Sequence, residues 1–169
     1  MKRYVLDANA LLVLLNDRPG ASRVARMLEQ AKRQGLRVFI SAVNWGEVVY
    51  SLWKSRGEAE AKGLIRKIEE LPVTVVPVDR ERAALAGELK VVHALGYADS
   101  FAASLALELR ATLITADPDF RKVGSKLKVE FLPRHEGSGR GLLQKTWRPK
   151  RKPPASEGGR YKISTANNQ

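Results

Sequence analysis

Short apolar runs alternate along this chain with longer stretches in which apolar residues recur every three or four positions. Tyr4-Val5-Leu6, Val38-Phe39-Ile40, Val73 to Val78, Thr112 to Thr115 and Lys128 to Leu132 are brief. They are rich in β-branched or aromatic side chains, which suits buried strands. The intervening stretches read as helices. Ala8 to Asn16 carries leucines at 11, 12, 14 and 15, and Ala21 to Gln34 sets Val24, Met27, Leu28 and Ala31 on one face before Gly35. Ser41 is placed to cap a helix reaching about Ser55, with Trp45, Val48, Val49 and Leu52 on one side. Further helices are predicted from Gly57 to Leu71, from the cap Asp79 to about Leu95 with Gly96 as its stop, and from Ala98 to Leu109. Strands alternating with helices predict an α/β domain with a mainly parallel sheet of roughly five strands.

The pattern stops near Pro133, which sets a folded domain at 1–133 and a basic, flexible tail at 134–169. Charge sharpens that division. The chain of 169 residues has a net charge of +12, of which 1–133 carries +5 and 134–169 carries +7. Such a balance attracts polyanions. In the tail, Trp147, Arg148, Lys150, Arg151 and Lys152 interleave an aromatic with cations, followed by Arg160, Tyr161 and Lys162. That mixture suits single-stranded RNA through phosphate neutralisation and base stacking.

The chain has no cysteine. A disulfide framework, a thiolate zinc site and a cysteine nucleophile are excluded, and a reducing compartment is expected. Lys2 and Arg3 precede apolar residues as in a secretory signal, but Asp7, Asn9, Asn16 and Asp17 interrupt the run. No stretch approaches the roughly 20 apolar residues of a membrane span, so a cytoplasmic protein is expected. The two histidines, His93 and His135, lie in no suggestive context, and no glycine-rich phosphate loop is present. Trp45 and Trp53 are expected as core or dimer contacts, and Arg82 and Lys90 as exposed helix charges.

Four acids stand out by position. Asp7 and Asp117 directly follow predicted strands, Glu47 lies in the helix after the second strand, and Asp99 falls in the opening turn of a helix. Ligands of open α/β sheets gather outside the carboxyl ends of the strands, so all four can reach one rim. Hard cations such as Mg²⁺ and Mn²⁺ take such oxygen ligands, and crowded carboxylates without a cation would repel one another. With a cation bound, such a site can orient a phosphodiester and activate water. Each acid also has a structural role open to it, as a turn residue, a helix cap or a solvated side chain.

The segments Leu6-Asp7-Ala8-Asn9-Ala10-Leu11-Leu12, Asn44-Trp45-Gly46-Glu47, Tyr97-Ala98-Asp99-Ser100-Phe101-Ala102-Ala103 and Thr115-Ala116-Asp117-Pro118-Asp119-Phe120 together resemble the PIN domain, with the VapC-type toxins as the nearest match. The resemblance implies a three-layer α/β/α fold and a Mg²⁺- or Mn²⁺-dependent endoribonuclease. It implies Asp7, Glu47, Asp99 and Asp117 as the acidic, metal-holding quartet. Asp119 matches a further acid of many members, or serves as a helix cap after Pro118. Asn9 and Thr115 match polar positions beside the metal. A homodimer and a VapB-type antitoxin partner are also implied. Two rival functions remain at this stage. A PIN-like module that holds RNA or ribosomes without cutting gains nothing from an intact acid cluster. A metal-dependent phosphatase finds a faint match in Asp7-Ala8-Asn9 but no use for Glu47 and Asp99.

Overall fold

The computed structural model describes residues 1–33 and 35–133. In chain order these form β1 (Lys2–Leu6), α1 (Ala8–Leu15), α2 (Ala21–Lys32), β2 (Leu36–Ser41), α3 (Ala42–Arg56), α4 (Glu58–Glu69), β3 (Val73–Val76), α5 (Arg80–His93), α6 (Tyr97–Glu108), β4 (Thr112–Thr115), a 3-10 helix (Pro118–Lys126) and β5 (Val129–Phe131). The sheet is parallel throughout, in the order β3-β2-β1-β4-β5. The chain builds outward from β1 through β2 to β3, then crosses back to add β4 and β5 on the other side. The switch in strand order therefore lies between β1 and β4, where open α/β sheets leave a crevice at the carboxyl edge.

Two apolar layers fix this arrangement. Successive residues of a strand point to opposite faces. Leu6 and Ile114 accordingly pack with α1, α2, α3 and α4, together with Val24, Met27, Ile40 and Val48. Val5 and Leu113 pack on the other face with Leu89, Ala102, Leu105, Phe120 and Val123. Val5, Leu6 and Leu113 have no exposed surface, as expected of central strands covered on both sides. The three-layer α/β/α fold is thus present as predicted.

Local differences have local causes. The third strand ends at Val76, because Pro77 has no N–H to give a ladder. Helix α5 ends at His93 through Ala94, which takes a left-handed conformation (φ 50°). Gly96, expected as that stop, is the N-cap of α6 at φ −58°. The segment after Asp117, read only as a turn, continues into a 3-10 helix broken at Gly124 (φ 69°). Ser41 caps α3 as predicted, its hydroxyl accepting from the Val43 amide at 3.3 Å. Trp45 packs partly buried against the α1–α4 layer, whereas Trp53 is exposed with the Lys62 ammonium 5.9 Å from its ring centre. The tail residues Trp147, Arg148, Lys150, Arg151 and Lys152 lie outside the described residues, as does His135. Among the described residues no helix is long and apolar enough to cross a membrane.

Arg82 corrects the expectation of an exposed charge. It is 5% exposed and forks onto Glu108 of α6, with Nε and Nη2 at 2.9 and 2.8 Å from the two carboxylate oxygens. Its remaining nitrogen donates to the Pro77 carbonyl. One guanidinium thus joins the start of α5, the end of α6 and the exit of β3; Lys90, by contrast, is exposed as expected. Replacing Arg82 with alanine removes a bidentate partner from Glu108 and a donor from Pro77. Because Glu108 is 45% exposed and can rehydrate, the expected cost is about 1–3 kcal/mol. Urea denaturation should show a lower midpoint at unchanged slope, with lysine recovering only part of the loss because it lacks the fork.

Candidate functional site

Asp7 is the residue immediately after β1. Its amide donates to the Ile114 carbonyl at 3.1 Å, which carries the β1–β4 pairing one step beyond the strand. That step sets Asp7 beside Thr115, the last residue of β4, at the switch in strand order. Asp7 occupies the N-cap position of α1 but makes no side-chain cap bond. Its carboxylate turns to the sheet instead. One oxygen accepts from the Thr115 hydroxyl at 2.8 Å, and the other faces the Asn44 amide nitrogen at a long 3.5 Å.

Thr115 is itself fully buried and does two jobs, since its hydroxyl oxygen accepts the Asp117 amide at 2.9 Å. Asp117 in turn accepts the Asp119 amide at 2.9 Å and so caps the 3-10 helix. The cap after β4 is therefore Asp117, not Asp119. An N-cap needs an acceptor in extended conformation ahead of the first turn, and Pro118 fills the position between them. Asp119 pairs instead with the Lys122 ammonium at 3.0 Å.

Asn44, in the segment that ends at Glu47, is a further residue of the site that its sequence position alone does not mark. It is fully buried, and its amide nitrogen also donates to the Ala98 carbonyl at 3.1 Å, which ties α3 to the residue before Asp99. Its side-chain oxygen is buried with no hydrogen-bond partner. The signal for it was helical spacing: Asn44 precedes Glu47 by three residues and shares its face. Lys122 was missed as well, one turn beyond Asp119 in a helix that the sequence did not announce. Asn9 is partly buried in the first turn of α1 and makes no side-chain hydrogen bond among the described residues.

The acids sense one another. Burial pushes the Asp7 carboxyl up to about 8, and Asp99, Glu47 and Asp117 add to the rise, while the Thr115 hydroxyl opposes it. Glu47 is raised by burial, then by Asp99 and Asp117. Asp99 is raised by burial, then by Asp117 and Asp119, and is held back by a hydrogen bond from the Gly96 amide and by Lys122. These shifts are those of like charges gathered in a poorly hydrated place. All four predicted acids therefore meet at one rim.

Their chemistry fits a hard divalent cation, with carboxylate oxygens, partial dehydration and an idle amide oxygen close by. As the side chains stand, no group of three or more His, Cys, Asp or Glu is arranged to hold a metal ion among the described residues.

A family model described as PIN domain matches residues 4–126. The chain is similar in fold to VapBC2 from Rickettsia felis, solved bound to a DNA fragment from the promoter of that pair. The identity is 22%, covering 78% of this chain and 99% of that one, with a TM-score of 0.65. It is also similar to VapBC-1 from nontypeable Haemophilus influenzae, at 23% identity over 76% and 97% of the two chains and a TM-score of 0.60. A third similar structure is VapC20 of Mycobacterium tuberculosis, a Sarcin-Ricin loop cleaving toxin, at 20% identity over 77% and 99% and a TM-score of 0.59. At these identities the likeness shows the fold. No curated protein matches the chain by sequence.

The raised carboxyls make the stability of the metal-free protein pH-dependent. Between the unfolded value of 3.8 and the folded value of about 8, folded Asp7 keeps a proton that the unfolded chain has released. Stability therefore falls as pH climbs through that window and levels off above it. Glu47 and Asp99 act in the same direction. Urea midpoints measured in chelator at pH 5, 6.5 and 8 should decline for the wild type. Asp7→Asn should be the more stable protein at pH 8, by on the order of a few kcal/mol, and the gap should shrink toward pH 5. A wild-type midpoint rising from pH 5 to pH 8 would contradict this account.

Proposed function

Because the chain belongs to the PIN domain family, we propose that it is a Mg²⁺- or Mn²⁺-dependent endoribonuclease, the toxin of a VapBC-type toxin–antitoxin pair. The observation that carries this reading is the meeting of Asp7, Glu47, Asp99 and Asp117 at the β1–β4 switch, with Asp7 raised to about 8. A protein with no use for a cation there would bear the cost of four gathered acids without return.

In this assignment Asp7, Glu47, Asp99 and Asp117 hold the metal, with Asp119 as a further acid at the edge. When bound, a divalent cation supplies Lewis acidity toward the phosphodiester and an attacking water at neutral pH. Thr115 and Asn44 orient Asp7, and the Thr115 hydroxyl links it to the Asp117 backbone, so that the ligands share one hydrogen-bonded frame. Asn9, two residues from Asp7 in the first turn of α1, is with Thr115 a polar group beside the metal. The folded domain, 1–133, carries the chemistry. The tail, 134–169, with Trp147, Arg148, Lys150, Arg151 and Lys152, adds affinity for RNA through its net charge of +7.

The partners follow from the similar structures. Two of those named above are VapBC pairs, which supports a VapB-type antitoxin for this chain. A homodimer and a cytoplasmic setting belong to the same reading, and the absence of cysteine suits a reducing compartment.

Purified protein incubated with a mixed RNA pool should cut it with Mg²⁺ or Mn²⁺ and not with chelator. Asp7→Asn and Asp99→Asn should each lose more than the roughly 10–100-fold that an outer-sphere partner is worth. RNA retained uncut in the presence of metal would instead select a binding module. Deleting residues 134–169 should weaken RNA binding and flatten its dependence on salt, as titrations at several salt concentrations would show. An unchanged slope would remove the tail from the reading.

A further inference from the structure

Helices α5 and α6 are joined by Ala94, Leu95 and Gly96 alone. Two lysines from different elements reach this connection. The Lys122 ammonium, from the 3-10 helix, lies 3.5 Å from the Ala94 carbonyl, and the Lys90 ammonium, from α5, lies 3.3 Å from the Leu95 carbonyl. His93 donates through Nδ1 to the Lys122 carbonyl at 3.0 Å, which ties the end of α5 to the 3-10 helix. Both lysines are exposed. An ammonium has three donors, and each of these carbonyl contacts is long and occupies only one. Tyr97 follows directly, as the first residue of α6. Its ring meets that of Phe101 edge-to-face, with centroids 5.0 Å apart and planes at 73°. Phe101 is buried, yet Tyr97 remains 64% exposed. The result is a braced aromatic ring standing in solvent beside two cations.

Folding alone gives little reason for this combination. Leu95 already anchors the connection in the core, and an aromatic left in solvent gains little from burial. What the two cations and the ring share is a neighbour. Asp99 lies two residues beyond Tyr97, and the Lys122 ammonium is close enough to lower its carboxyl. Lys122 also pairs with Asp119 at 3.0 Å. The cluster therefore abuts the acid rim. We propose that this connection seats the RNA strand on the folded domain: Lys90 and Lys122 take phosphates beside the one to be cut, and Tyr97 stacks a base. The inference rests on the nuclease reading and gives it a substrate-positioning surface apart from the tail. Single-stranded RNA is the class that the pairing selects. Phosphates need only cations, but a base that stacks on a side chain must first be free of its own partner. A duplex offers the phosphates without the free base.

The test uses the full chain carrying Asp7→Asn, which leaves RNA whole on the nuclease reading. Binding of a fluorescent single-stranded oligoribonucleotide is followed by anisotropy with Mg²⁺ at several salt concentrations. Lys90→Gln and Lys122→Gln, added singly, should each weaken binding about fourfold at physiological salt and flatten the salt slope by about 0.7. Tyr97→Ala should weaken it at least about fivefold with the slope unchanged, and Tyr97→Phe should keep it. Lys67→Gln is the control: this exposed lysine sits on α4, which packs on the other face of the sheet, and its loss should change neither quantity. Equal losses at Lys67 would mean diffuse attraction and overturn the proposal. Full affinity in the Lys90, Lys122 and Tyr97 variants would overturn it too, and a changed mass of Tyr97→Ala in solution would then mark the face as a contact between copies. Cutting by the wild type keeps the two readings apart. A wild type that cuts while these variants bind normally retains the nuclease and loses the seat, and a wild type that neither binds nor cuts loses both.

Discussion

The structure turns on placing one carboxylate, that of Asp7, in a dry seam between two central strands. The pairing of the Asp7 amide with the Ile114 carbonyl fixes its backbone at the seam, and the Thr115 hydroxyl holds the carboxylate there. The carboxylate is 2% exposed and surrounded by other acids, so ionising it opposes folding. The Thr115 hydroxyl at 2.8 Å is a short contact that offsets this, and the Asn44 amide at 3.5 Å is only a weak second donor. Two donors of unequal quality do not replace the water that a carboxylate loses on burial. The balance is left to protonation, or to a cation.

Everything around Asp7 serves to keep that seam in register. Val5 and Leu6 face opposite layers, so β1 is gripped from both sides and cannot slip without moving apolar surface out of both cores. Asn44 spans from α3 to the Ala98 carbonyl in α6 and carries Glu47 and Asp99 toward the same rim. Arg82 joins α5, α6 and the end of β3. The rigid parts of the molecule thus bear on the part that is least favourable by itself, as expected where strain or repulsion is kept for use.

The sequence disclosed the features governed by period and by strand ends. Each strand and helix of the parallel sheet was legible because central strands read as brief apolar runs and their covering helices as three-to-four spacings. The acids were legible because three of them sit within two residues of a strand or helix boundary. What escaped depends on tertiary partners. Arg82 has the look of a solvated helix charge until α6 brings Glu108 beneath it. Asn44 is one polar residue on a helix until its amide finds Ala98. The 3-10 helix after Asp117 lacks a 3.6-residue period and so gave no signal, which hid Lys122. Gly96 looked like a helix stop, the commonest use of glycine at such a place, whereas it is the N-cap of α6 with the Asp99 side chain where a Cβ would stand.

On the proposed reading, the charge pattern resolves a conflict between attraction and repulsion. RNA is drawn toward a chain of net charge +12, yet it must finish with a phosphate beside four acids. The two effects act at different ranges. Net charge is felt out to about the 8–10 Å screening length of physiological salt, while the acids are partly buried and act chiefly on what enters the rim. A divalent cation reverses the sign only at that final distance. Approach is thus governed by the basic exterior and the last step by the cation.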